Sequence, residues 1–152
     1  MRSTRIHRRI RAPRATIYRA LLDSRAVAKW MVPTGMTSEV HQFEPREGGA
    51  FRISLTYVAQ TNEGKTSAHT DTYHGRFTRL VPDERVEEVV EFETANPGMQ
   101  GEMTIRYELH DANGATDLFA VHDGLPPALA PMDNELGWRI SLEKLAALVE
   151  VR

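Results

Sequence analysis

Residues 133–150, DNELGWRISLEKLAALVE, decide the fold. They consist largely of good helix formers, and Asp133 stands where a first-turn cap belongs. Trp138, Leu142, Leu145 and Val149 recur at three- and four-residue spacing and share one face, flanked by Ile140 and Leu148. A terminal helix with an apolar stripe needs a surface to lie on, and the residues before it supply a sheet. Phe51, Ile53, Leu55 and Tyr57 alternate with Arg52, Ser54 and Thr56 after the Gly48-Gly49 pair, as in a half-buried antiparallel strand. The period is already two from Glu39, and residues 71–80, 85–93, 102–110 and 116–122 repeat it. Asn62-Glu63-Gly64, Pro82-Asp83, Asn96-Pro97-Gly98 and Asn113-Gly114 separate the strands, the last being a short-hairpin signal.

At the other end, Ile6 and Ile10 mark a first strand that stops at Ala12-Pro13. PRATIYRALLD (13–23) and SRAVAKWM (24–31) read as two short helices, the second capped by Asp23 or Ser24 and broken at Pro33 and Gly35. Residues 123–132, DGLPPALAPM, carry three prolines and read as a stiff loop placed to cover something. The expectation is one α+β domain over residues 1–152. A curved antiparallel sheet of about six to seven strands wraps round the long C-terminal helix, with two short helices after the first strand.

A curved sheet cannot touch a straight helix along its whole length, so space is left between them. A void of ~300 Å³ costs ~7 kcal/mol at ~24 cal/mol per Å³, so side chains, water or a ligand must fill it.

The composition narrows the choice of function. The 152 residues are 41% hydrophobic and 26% charged, as in a globular protein. The absence of cysteine excludes disulfides, thiolate nucleophiles and cysteine-based zinc sites. A net charge of −2 offers nothing to nucleic acid, and no stretch approaches the ~20 apolar residues of a membrane span. The arginine-rich start reads as strand and helix rather than as a targeting segment, so the expected location is cytoplasmic. Sixteen arginines against three lysines point to a GC-rich, bacterial source.

Few residues suggest chemistry. In His69-x-Asp71-x-x-His74, an extended backbone puts His74 on the face opposite His69 and Asp71, so no metal site is expected. His7 and His41 read as ordinary strand residues. Asp117, Arg106 and Glu108 read as a solvated charge ladder, and no serine sits in a nucleophile elbow. Gly48-Gly49 precedes a strand, so it is a turn or bulge rather than a phosphate cradle. His122, at a strand end just before the proline-rich loop, is the candidate anchor or acid–base group at a cavity mouth, against the alternative of a histidine satisfied by backbone. The expected pocket lining is Trp30, Phe51, Ile53, Leu55, Phe77, Met103, Ile105, Leu118, Ala120, His122, Trp138 and Leu142. No cofactor is required. Phe119 and Val121 make the opposite face of that strand apolar as well, so it packs either on the first strand's neighbours or on a second copy in a homodimer.

The stretches IHRRIRAPRATIYRALLDSRAVAKWMVPTG, FEPREGGAFRISL, YHGRFTRLVPDERVEEVVEFE and ELGWRISLEKLAALVE resemble the START-like (SRPBCC) superfamily. Within it they resemble the branch named for the activator of the ninety-kilodalton heat-shock protein's ATPase. Ala12-Pro13, Trp30, Pro33, Arg46-x-Gly48-Gly49, Pro82-x-Glu84-Arg85 and Gly137-Trp138 carry the likeness. It implies a helix-grip fold with a hydrophobic pocket. Members include lipid carriers, polyketide cyclases and hormone receptors, and fold alone does not choose among them. Three roles follow as expectations: binding of a small hydrophobic or amphipathic ligand, a cyclase- or dehydratase-like enzyme, or a chaperone-interacting module. The first is the leading one, and the activator's additional N-terminal domain has no counterpart in these residues.

Overall fold

The computed structural model describes residues 2–58 and 70–150. The turn expected at 62–64, and His69, lie outside them. The order is β1 (Ser3–Ile10), α1 (Arg14–Leu21), α2 (Ser24–Trp30), β2 (Met36–Phe43), β3 (Ala50–Tyr57), β4 (Thr70–Val81), β5 (Arg85–Phe92), a 3-10 turn (Pro97–Met99), β6 (Met103–Ala112), β7 (Ala115–Asp123) and α3 (Pro131–Val149). Seven antiparallel strands form one curved sheet in the order β1-β7-β6-β5-β4-β3-β2. Consecutive strands from β2 onward meander, and β1 adds to the far edge beside β7. The expected helix-grip architecture is therefore the one observed. No helix of the described residues is long and apolar enough to cross a membrane.

Local chemistry sets the element ends. Asp23 Oδ1 accepts from the amides of Arg25 and Ala26 and so caps α2. Asn113 and Gly114 both adopt positive φ, 55° and 90°, the backbone of a tight hairpin between β6 and β7. Gly48-Gly49 forms a turn that leads into β3 and pairs with β4, where the Gly48 amide donates to the Phe77 carbonyl and the Phe77 amide to the Gly49 carbonyl.

The expectations for the terminal helix need correction. The terminal helix begins at Pro131, not Asp133, because proline suits the first helical position, where its missing N–H costs nothing. Ala130 stands at the cap without a side-chain bond, and Asp133 lies within the first turn, where its charge suits the helix dipole. The expected α3 face holds, with Leu142 and Leu145 buried and Trp138 and Val149 packed against the same cluster, but Ser141 and Ala146 join it and the flanking Leu148 faces solvent. Small Ser141 and Ala146 permit close packing, and the α3 backbone lies nearest β1 and α2. On the outer face of β7, Phe119 stacks on His7 at 4.6 Å, meets the edge of His110, and lies under Arg5, so β1 and β6 supply its neighbours.

The charge ladder is on the outside. Arg9 and His7 bind Asp117, and Arg106 and Arg85 bind Glu108. His41, unpartnered in sequence, meets Ser54 across the strand pair. Asp71 is buried on the inner face while His74 is on the outer face beside Glu91 and Glu93, as extended geometry requires.

The turn before β3 supplies a direct check on this architecture. A Cβ on Gly49 would lie 2.0 Å from the Glu44 carbonyl oxygen, a backbone atom that cannot step aside. Gly49→Ala is therefore expected to destabilise the domain by about 2–3 kcal/mol in urea unfolding. A loss within a few tenths would contradict the turn.

Candidate functional site

The inward row of each strand divides into two regions. At one end Ile6, Ile10, Trp30, Phe77, Leu109, Leu118, Leu142 and Leu145 are nearly or wholly inaccessible and belong to one packed cluster with α1 and α2. At the other end the first turns of α3 stand off the sheet and leave a cavity of about 230 Å³, open to solvent. Its walls come from Leu55 on β3, Asp71 and Tyr73 on β4, Glu88, Val90 and Phe92 on β5, Met103 and Ile105 on β6, and His122 on β7. The helix contributes Asp133, Asn134, Gly137, Trp138 and Ser141, and Met31, Pro33, Met36 and Leu129 complete the rim. A second hollow of about 380 Å³, between α2 and β2, is a more open surface depression.

Leu55, Met103, Ile105, His122 and Trp138 thus reach the cavity as the sequence suggested. Trp30, Phe51, Ile53, Phe77, Leu118, Ala120 and Leu142 do not, and are packed core. Trp30 is wholly buried with its indole N–H on the Ala20 carbonyl at 3.2 Å, and Phe51 and Phe77 pack with Phe43. All seven lie in the packed interior, where neighbouring side chains already fill the space.

His122 is held on both sides. Its Nδ1 accepts the Trp138 indole N–H at 3.0 Å and faces the Asn134 amide nitrogen at 3.1 Å; Asn134 also donates to Thr4. Because an indole only donates, Nδ1 is unprotonated, and the proton sits on Nε2, which faces the Met103 sulfur at 3.2 Å. Burial lowers the histidine pKa to about 4, so the ring is neutral at pH 7. His122 is a histidine satisfied by side chains of the protein, and it props Trp138 against the cavity.

The residue that sequence reading passed over is Glu88. It is 5% exposed, lies between Phe77 and Ile105 in register, and has no hydrogen-bond or ionic partner among the described residues. Burial raises its pKa to about 8. Tyr73 and Tyr107 feel its charge and are themselves pushed up, chiefly by burial. The Tyr73 hydroxyl donates to the Met31 sulfur, while the Tyr107 hydroxyl is buried without a partner. The signal was in the sequence: Glu88 occupies the same strand phase as Val86, Val90 and Phe92.

The proline-rich loop closes one side. Arg2 donates to the carbonyls of Pro126 and Leu129, the amides of Gly124 and Leu125 donate to the Arg2 carbonyl, and Leu129 faces the cavity.

The two shifted groups leave a pH signature. Glu88, raised from 4.5, stabilises the fold only while protonated, so its contribution falls as pH rises from about 4.5 to about 8. His122, lowered from 6.5, makes stability fall as pH drops from 6.5 to about 4. Between about 4.5 and 6.5 the two slopes oppose each other, and above 6.5 only that of Glu88 remains. Thermal unfolding should therefore show stability declining between pH 6.5 and 8 by about 2 kcal/mol. Glu88→Gln should abolish the decline and be about 4 kcal/mol more stable than the parent at pH 7.5, with little change at pH 4. Identical pH curves for parent and variant would contradict the burial of that carboxyl.

Comparison with known proteins follows the same lines. A family model described as "Activator of Hsp90 ATPase homolog 1-like protein" matches residues 11–150. Among solved structures, protein CV1439 from Chromobacterium violaceum is 35% identical with a TM-score of 0.89, covering 99% of this chain and 98% of that one. The AHSA1-like protein from Aeromonas hydrophila is 14% identical, TM-score 0.73, over 96% of this chain and 90% of that one. DynU16, from the dynemicin biosynthetic locus, is 19% identical, TM-score 0.67, over 95% of this chain and 46% of that one. The last two share the fold. No curated protein matches the sequence.

Proposed function

The chain belongs to the activator of Hsp90 ATPase homolog 1-like family, and from that premise we propose that it takes up a small hydrophobic or amphipathic molecule in the Glu88 cavity. The observation that carries the reading is Gly137. It lies within α3, where glycine costs about 1 kcal/mol relative to alanine, and a Cβ there would meet nothing within 4 Å. The space it leaves is the cavity. A position that gives up helix stability to keep a hole open supports a hole with a use.

Size and wall chemistry set the guest. An apolar cavity of ~150 Å³ in another protein admits benzene, so about 230 Å³ suits one ring with a short side chain, with room to extend through the mouth. Methionines 31, 36 and 103 adapt to irregular shapes, and Tyr73, Phe92 and Trp138 offer flat faces. The proposed setting is a bacterial cytoplasm.

One observation favours a second reading. A carboxyl kept protonated near neutrality in an apolar pocket is the arrangement of a general acid, or of a donor to a carbonyl oxygen. An enzyme of cyclase or dehydratase type would use Glu88 in that role, with His122 fixing the wall. A chaperone-directed role rests on the family's name alone.

Binding is tested by thermal shift with a panel of one- and two-ring compounds. A ligand at 100 times its Kd adds about 2.7 kcal/mol, which raises the melting temperature by several degrees. Gly137→Leu should fold, melt no lower than the parent, and lose the response. A panel with no response, or a leucine variant that responds like the parent, would contradict the reading.

A further inference from the structure

Glu88 bears on which small molecule the cavity takes. Glu88 lines the cavity, is 5% exposed as a residue, and no described side chain pairs with it. Asp133 stands at the same cavity, and none of the lining residues is lysine or arginine. Lys144, on the same helix, donates its ammonium to the Val32 carbonyl at 2.6 Å. His122 cannot become a cation in place, because gaining a proton on Nδ1 would break the bond from Trp138. A fatty acid or other carboxylate would thus meet Glu88 and Asp133 and no lysine or arginine among the lining residues.

We propose that the cavity selects a hydrophobic amine, its ammonium paired with the Glu88 carboxylate and its apolar body against Tyr73, Phe92 and Trp138. This rests on the ligand-binding reading and narrows it to one chemical class. Aromatic faces attract cations as well as apolar groups, so the same walls hold both ends of such a guest. Arrival of the ammonium turns an unpaired buried acid into a paired one. The proton balance follows: an amine that is already cationic in solution enters, Glu88 gives up its proton to buffer, and the bound pair is neutral overall. The other titratable or charged groups around Glu88 are Asp71 and Tyr73 on β4, Tyr107 on β6, His122 on β7 and Asp133 on α3.

The test is calorimetric titration with three matched probes, 2-phenylethylamine, 2-phenylethanol and 3-phenylpropanoate, at pH 6, 7 and 8 in buffers of different ionisation enthalpy. The amine should bind at least about tenfold more tightly than the alcohol at pH 8. It should gain about tenfold in affinity from pH 6 to 7 and release close to one proton at pH 7. The carboxylate should bind least. Glu88→Gln should bring the amine down to the alcohol's affinity and leave the alcohol unchanged, the alcohol serving as the check that the cavity is intact. If amine and alcohol bind alike, or the carboxylate binds best, the amine assignment is overturned while the cavity reading stands. If none of the three binds the parent, both fall.

Discussion

A straight helix laid against a strongly bent sheet meets it at one end and parts from it at the other, and the rest of this molecule depends on that mismatch. Where they meet, α1, α2 and the second half of α3 fill the interior with Ile17, Trp30, Leu142 and Leu145, all inaccessible to solvent. Where they part, the inward row of the sheet continues without a partner, and Glu88, a neutral histidine and Tyr73 occupy walls that would otherwise be aliphatic. Packing is concentrated in the first region and the proposed binding site lies in the second. The division lets the protein carry an unpaired buried carboxyl that a uniformly packed domain of this size would not tolerate.

The polar groups of the cavity are of two kinds. His122, Asn134, Thr4 and Trp138 satisfy one another, so they hold the α3 end of the wall at a fixed distance from β7 and β1. Glu88 is left over. A satisfied network gives rigidity, whereas an unpaired group in an apolar pocket represents free energy that a suitable guest releases. The loop pinned by Arg2 adds a roof whose position follows from backbone bonds rather than from the ligand.

The sequence made the fold legible because period and turn chemistry agree throughout: alternation along five strands, Asn113-Gly114 at the hairpin, and a leucine-bearing helix at the end. It missed the start of α3, because Pro131 reads as a breaker until its place at the first helical position is known. It separated inward from outward residues correctly on β7, where Leu118 and His122 point the same way, yet only His122 reaches the cavity. Alternation fixes the side of a sheet a residue faces and says nothing of the height at which a helix crosses it. Glu88 was hidden for a different reason. It sits among Glu87, Glu91 and Glu93, and a run of acids reads as a solvated face unless the phase of Val86 and Val90 is followed through it.

The state of that one carboxyl tests the whole account. A carbon-13 titration of the Glu88 side-chain carboxyl, assigned by its loss in a Glu88→Gln sample, should show a midpoint near pH 8 in the free protein. A midpoint near 4.5, the value of an exposed glutamate, would mean that water or a charged partner reaches Glu88, and that the carboxyl is not held in the buried, apolar surroundings described here.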